Sequence, residues 1–174
     1  CLFRLMKMLK KNRAKMVSQR KKNPSQLMPK FGTRSRENLE TCHPDLQALF
    51  NTIIIEVDCS VTCGFRNEKD QEKAFNEGNS KVHFPDGHHN SDPSTAVDVY
   101  PYPIDYTDLQ RYYWFAGWVL AKAEILRNVG EINHKIKWGG NWRGLNNGKI
   151  DFSYNRRKDI LDDLPHFELI IDGD

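Results

Sequence analysis

One segment narrows the possible folds more than any other: residues 108–129, which predict a single long helix. Thr107 stands at the N-cap position, Asp108 follows at the positive end of the helix dipole, and Gly130 closes the segment. Tyr112, Tyr113, Trp114, Phe115, Trp118, Val119 and Leu120 put apolar groups on most of its faces, which predicts a helix in the middle of the core. A second helix is read over 43–57, where Pro44 suits the first turn and Leu46, Leu49, Phe50, Ile53, Ile54 and Val57 recur at helical spacing. A short exposed helix over 68–77 stops at Gly78. The strands are short and unevenly placed, at 59–65, 95–100, 135–138 and 166–171, with Pro101 and Pro103 ending the second. A Gly/Asn-rich loop is expected over 139–150 and an irregular polar stretch from there to 162. Two main helices and short strands without a βαβ rhythm give an α+β fold class.

The chain has 174 residues, 39% hydrophobic and 28% charged. That suits one domain with a true core, since a domain of this size buries roughly 70% of its unfolded surface. No apolar run approaches the ~18 residues of a membrane helix. The formal net charge of +3 is unevenly placed. Residues 1–27 hold nine Lys/Arg and no acid, so the rest of the chain is net acidic. The chain opens on Cys1, all four Met lie at or before position 28, and a well-patterned domain starts directly after Met28. Residues 1–27 are therefore read as a basic extension, disordered or not native, and 28–174 as the functional domain. If the tail is native, Arg4 to Lys22 predict salt-dependent nucleic-acid binding that is lost on deleting it; none is expected of 28–174. Arg4 and Lys7 interrupt the apolar stretch near the start and no small-residue cleavage site follows, so no secretory signal is read. Cys1, Cys42, Cys59 and Cys63 show no CxxC spacing, and free thiols in a reducing compartment are expected.

Chemistry concentrates in three places. Asp98 interrupts an apolar strand, TAVDVY, where a buried carboxylate needs a partner or a metal. Simple alternation would instead turn Asp98 to solvent. His83, His88 and His89 share the loop before that strand, and side-chain chemistry alone does not choose among them. His166 opens the last strand after Pro165, with Asp163 three residues upstream. Two imidazoles, a carboxylate and a further acid are the equipment of a zinc hydrolase: three ligands, an open fourth position and a proton carrier.

The segments SKVHFPDGHHNSDPSTAVDVYPYP, WGGNW and DLPHFEL resemble the zinc D-Ala-D-Ala carboxypeptidase (VanY-like) and L-alanyl-D-glutamate endopeptidase family, most closely its phage endolysin branch. The resemblance runs from about Met28 to Ile171. It implies a small mixed or antiparallel sheet packed against helices, the fold shared with hedgehog and DD-peptidase domains. It also implies a Zn2+ ion held by His89, Asp98 and His166, with His89 chosen over His88 by the HN…PS…AVD pattern. Asp163 becomes the catalytic base and acid, and Arg66, in GFR, the group that steadies the scissile carbonyl. Ser80 and Trp138, the latter with Gly139 and Gly140, are expected to line the substrate groove. The nine-residue step from His89 to Asp98 and Asn141 after the WGG segment depart from the family pattern.

The function so implied is hydrolysis of peptidoglycan stem peptides by a phage or prophage lysis enzyme. L-alanyl-D-glutamate endopeptidase is the first expectation, and D-Ala-D-Ala carboxypeptidase the second. A non-catalytic zinc or wall-binding module is the reading from another class, and Asp163 argues against it. The enzyme is expected to act as a monomer and to wait in the host cytoplasm until released to the wall.

Overall fold

The structure is a computed structural model and describes residues 29–141 and 163–171. The basic extension 1–27 and most of the expected loop between 139 and 162 lie outside the described residues. Helix α1 spans Thr33–Glu40, α2 Pro44–Glu56, α3 Glu68–Asn76 and α4 Leu109–Asn128. Strands β1 Cys59–Cys63, β2 Ala96–Pro101, β3 Lys135–Trp138 and β4 His166–Ile170 form one antiparallel sheet in the order β1-β2-β4-β3. The α+β expectation therefore holds, and the strands fall within or beside the segments read from the sequence.

Local signals explain most of the boundaries. His43 caps α2 by accepting the Asp45 N–H at Nδ1, and Pro44 occupies its first turn. Asn67 caps α3 through the Asp70 N–H, and Gly78 closes the following turn at φ +78°. Helix α1 was not anticipated: its sequence, TRSRENLE, carries one buried residue, Leu39, and so no apolar period.

Helix α4 differs from expectation in two ways. Its cap is Asp108, whose carboxylate accepts the Arg111 N–H, and not Thr107. Nor is it the middle of the core. Tyr112, Phe115, Ala116, Val119 and Ala123 are buried, while Tyr113, Trp114 and Trp118 stand 50%, 55% and 41% exposed. The helix covers one face of the sheet, where Phe115 meets Phe167 at 6.1 Å between ring centres. Phe50 of α2 meets the same ring at 5.6 Å. Val97, Val99, Phe167 and Leu169 complete that core. Side chains alternate along a strand, so Asp98, His166 and Glu168 belong to the opposite face. Cys42, Cys59 and Cys63 are free thiols, as expected.

A clamp ties α2 to the segment that leads into β3. Asp45 Oδ2 accepts the backbone N–H groups of Asn133 and His134 and the His134 Nδ1–H at 2.7–2.8 Å. That pins the entry to β3 against the first turn of α2. Burial would raise this carboxyl, but those donors hold it below its usual value.

Candidate active site

The register of the sheet assembles the site. Asp98 on β2 lies directly opposite His166 on β4, and opposite Cys63 on β1 at a bulge. His89 reaches the same point from the short 3-10 turn His88–Asn90. His89 Nε2 and His166 Nδ1 each lie 3.2 Å from Asp98 Oδ1, and 3.2 Å from each other. Of the three loop histidines, His89 is the one that meets Asp98 and His166. His88 turns away toward Thr95 Oγ1, at 3.3 Å, and His83 pairs with Glu72 on the surface.

Each ring is oriented from behind. His89 Nδ1 donates to Gly64 O at 2.7 Å. Gly64 must lack a side chain, because a Cβ there would run into Asn38 O and Thr41 Oγ1 at the end of α1. His166 Nε2 donates to Glu168 Oε2 at 3.0 Å. With those protons spent, His89 Nε2 and His166 Nδ1 offer lone pairs to each other and to a carboxylate. Three lone-pair donors at 3.2 Å repel one another unless a cation lies among them. The electrostatics show that the point favours positive charge, whether a proton or a metal cation: burial would lower His89, yet the Asp98 carboxylate pushes it up to about 10. Burial would raise Asp98, yet the two imidazoles hold it well below the carboxylate range. The donor set His89, Asp98 and His166 therefore fits a divalent metal, two imidazoles and a carboxylate being a common zinc complement. It joins two overlapping candidate metal groups, Cys63–His89–Asp98 and Asp98–Asp163–His166.

Asp163 precedes β4, and a carboxylate oxygen of it joins Asp98 and His166 in a group of donor atoms within 4.8 Å of one another. Burial first, and then the nearby Asp98 charge, raise its pKa, the direction a base working near neutral pH needs. Its backbone packs against Gly139, where a Cβ would strike Asp163 O and come within 3.0 Å of His166 Cβ. Arg66 lies across the centre, with Nη2 at 3.5 Å from Asp98 Oδ2.

These groups border a cleft of about 500 Å³, with Arg66, Ser80, His89, Asp163 and His166 among its walls. Ser80 Oγ accepts from Gln71 Nε2 at 2.9 Å. Trp138, expected in the groove, is instead buried in the core. Its indole N–H donates to Leu164 O at 2.7 Å and its ring meets Tyr113 edge-on, so it supports the segment that carries Asp163 from behind.

Two functional-looking residues escaped the sequence reading. Gln71 is fully buried on α3 and joins Arg66 Nη1, Ser80 Oγ, Val82 O and Asn90 Nδ2. Its place on a helix read as exposed gave no warning. Glu168 is the acid of PHFE, and its position two residues after His166 on a strand was the available signal. A further donor group, His43, Asp45 and His134, is the clamp described above.

A small antiparallel sheet bearing a His–Asp–His centre, with an acid beside it on the wall of an open cleft, defines a hydrolase built on a candidate metal site. The chain belongs to the phage L-alanyl-D-glutamate peptidase family, whose profile matches residues 27–170. Members of that family are peptidoglycan hydrolases, and this chain is one of phage type. Among solved structures it is similar to the L-Ala D-Glu endopeptidase ChiX of Serratia marcescens, at 26% identity and a TM-score of 0.59. That likeness covers 85% of this chain and 95% of ChiX. No curated protein sequence matches the chain. Among the described residues no helix is long and apolar enough to cross a membrane.

Proposed function

We propose that the chain is a zinc-dependent endopeptidase cutting the L-alanyl–D-glutamyl bond of peptidoglycan stem peptides. His89 Nε2, Asp98 Oδ1 and His166 Nδ1 would hold the ion. The observation that carries this is their mutual approach to 3.2 Å with both imidazole lone pairs turned inward. A zinc ion in such a set supplies Lewis acidity, activating water near neutral pH and polarising a carbonyl.

The protein's own groups do the rest. Asp163 takes the proton of the attacking water and returns it to the amine that leaves. Its raised pKa suits both halves of that transfer. Arg66 carries a fixed positive charge where the carbonyl oxygen becomes anionic, and its contacts to Gln71 Oε1 and Asp98 Oδ2 keep it from swinging away. Ser80, held by the Gln71 amide, offers a hydroxyl at the cleft rim for the peptide backbone.

Digesting purified peptidoglycan with zinc-loaded protein, followed by mass spectrometry, tests the reading. Fragments beginning with D-glutamate are expected. Loss of only the terminal D-alanine would mean a carboxypeptidase, and binding to the wall without any new product would mean a non-catalytic module.

A further inference from the structure

The buried acid two residues beyond His166 has no part in the chemistry above, and a purely structural account leaves it unexplained. Glu168 is 3% exposed in the middle of HFELI, a strand otherwise apolar after its first residue. Burying a carboxylate there is unfavourable unless every oxygen finds a partner, and an apolar residue would serve the packing as well or better. Both oxygens do find partners. Lys137, its cross-strand neighbour on β3, places Nζ 2.8 Å from Oε1. His166 places Nε2 3.0 Å from Oε2, with His88 Nε2 at 3.7 Å from the same atom.

We propose that Glu168 is a positioning residue for the metal centre: it fixes the His166 ring so that Nδ1 points at Asp98 and His89, while Lys137 anchors the carboxylate. The inference rests on the metal reading proposed above. The geometry makes the role specific. An imidazole has two nitrogens, and only the one without a proton can bind a metal. A carboxylate held at Nε2 keeps the proton there and leaves the Nδ1 lone pair for the ion. Strand periodicity puts Glu168 on the same face as His166, and the β3–β4 register puts Lys137 directly across from it. The chain thus holds each ligating imidazole by its distal nitrogen: His89 by a backbone carbonyl, and His166 by an ionised acid.

The test is metal affinity by chelator competition on the whole chain, with the visible spectrum of the cobalt-loaded protein as a second readout. Glu168→Met keeps the volume and removes the acceptor. It should bind zinc about 10–100-fold more weakly than the unaltered chain and shift the cobalt bands. Glu168→Gln still offers an oxygen to Nε2–H and should recover most of that loss. If Glu168→Met does not fold, the double variant Lys137→Leu/Glu168→Met removes the ion pair together and carries the same expectation. Unchanged affinity in the folded apolar variant, or a Gln variant as weak as the Met variant, overturns the proposal. An unaltered chain that takes up no ion overturns the metal reading and this inference with it. Uptake by the unaltered chain with no effect of Glu168 overturns this inference alone.

Discussion

His89 Nε2 and His166 Nδ1 face each other at 3.2 Å, although 76 residues of chain separate them and neither shares a secondary-structure element with the other. Two unprotonated imidazole nitrogens do not approach so closely without a cation or a shared proton between them. The expected consequence is that His89→Ala lowers zinc content from stoichiometric to trace, by elemental analysis of the dialysed protein. His88→Ala, whose ring turns toward Thr95 and Glu168, should keep its zinc. The reverse result would reassign the ligand.

Asp163→Asn separates binding from chemistry. The amide is close to the acid in shape but cannot accept the water's proton, so turnover of peptidoglycan should fall about 10²–10⁴-fold while zinc content stays the same. Product release measured by mass spectrometry, with metal content on the same sample, checks this. Undiminished turnover would remove Asp163 from the mechanism.

Gly139 makes the supporting backbone testable. A methyl group there collides with Asp163 O and crowds His166 Cβ, so Gly139→Ala should destabilise the chain by about 1–3 kcal/mol and depress turnover. Gly117 lies within α4 with nothing within 4 Å of its would-be Cβ, and Gly117→Ala should raise stability by roughly 0.5–1 kcal/mol. Thermal unfolding of the two variants side by side should give shifts of opposite sign.

Asp45 predicts an acid limb of stability remote from the centre. Its pKa is depressed in the folded chain by the Asn133 and His134 donors, against the opposing effect of burial. A depressed carboxyl contributes stability that is fully present above its unfolded value, about 3.9, and is lost as pH falls through the folded value. Urea titrations between about pH 6 and pH 2 should show that loss in the unaltered chain. Asp45→Asn should be weaker at pH 6 by about 1–3 kcal/mol and should show a smaller loss toward acid.

What the sequence made legible followed from physical strength. Helix α2 was readable because burial imposes a period and the strands because β-branched residues gather in them. Asp98 and His166 are weak signals singly and became legible through the family resemblance of their flanking segments. Choosing His89 over His88 needed the flanking pattern, because the two are neighbours in one turn and differ only in direction. Helix α4 misled because Tyr113, Trp114 and Trp118 are apolar in composition but stand at the surface, so periodicity could not tell a wet aromatic face from a buried one. Gln71 was invisible for the opposite reason: a polar residue on a polar helix gives no hint that it is buried and fully bonded.

The pairing of Asp98 with His166 across β2 and β4 carries a consequence for how the domain matures. Sliding either strand by one residue would send one of the two side chains to the far side of the sheet, into the Phe50–Phe115–Phe167 cluster. A chain with misaligned strands therefore loses the Asp98–His166 pairing together with its packing. An ion held by this pair would favour only the correct alignment, and so would act during folding as a check on register.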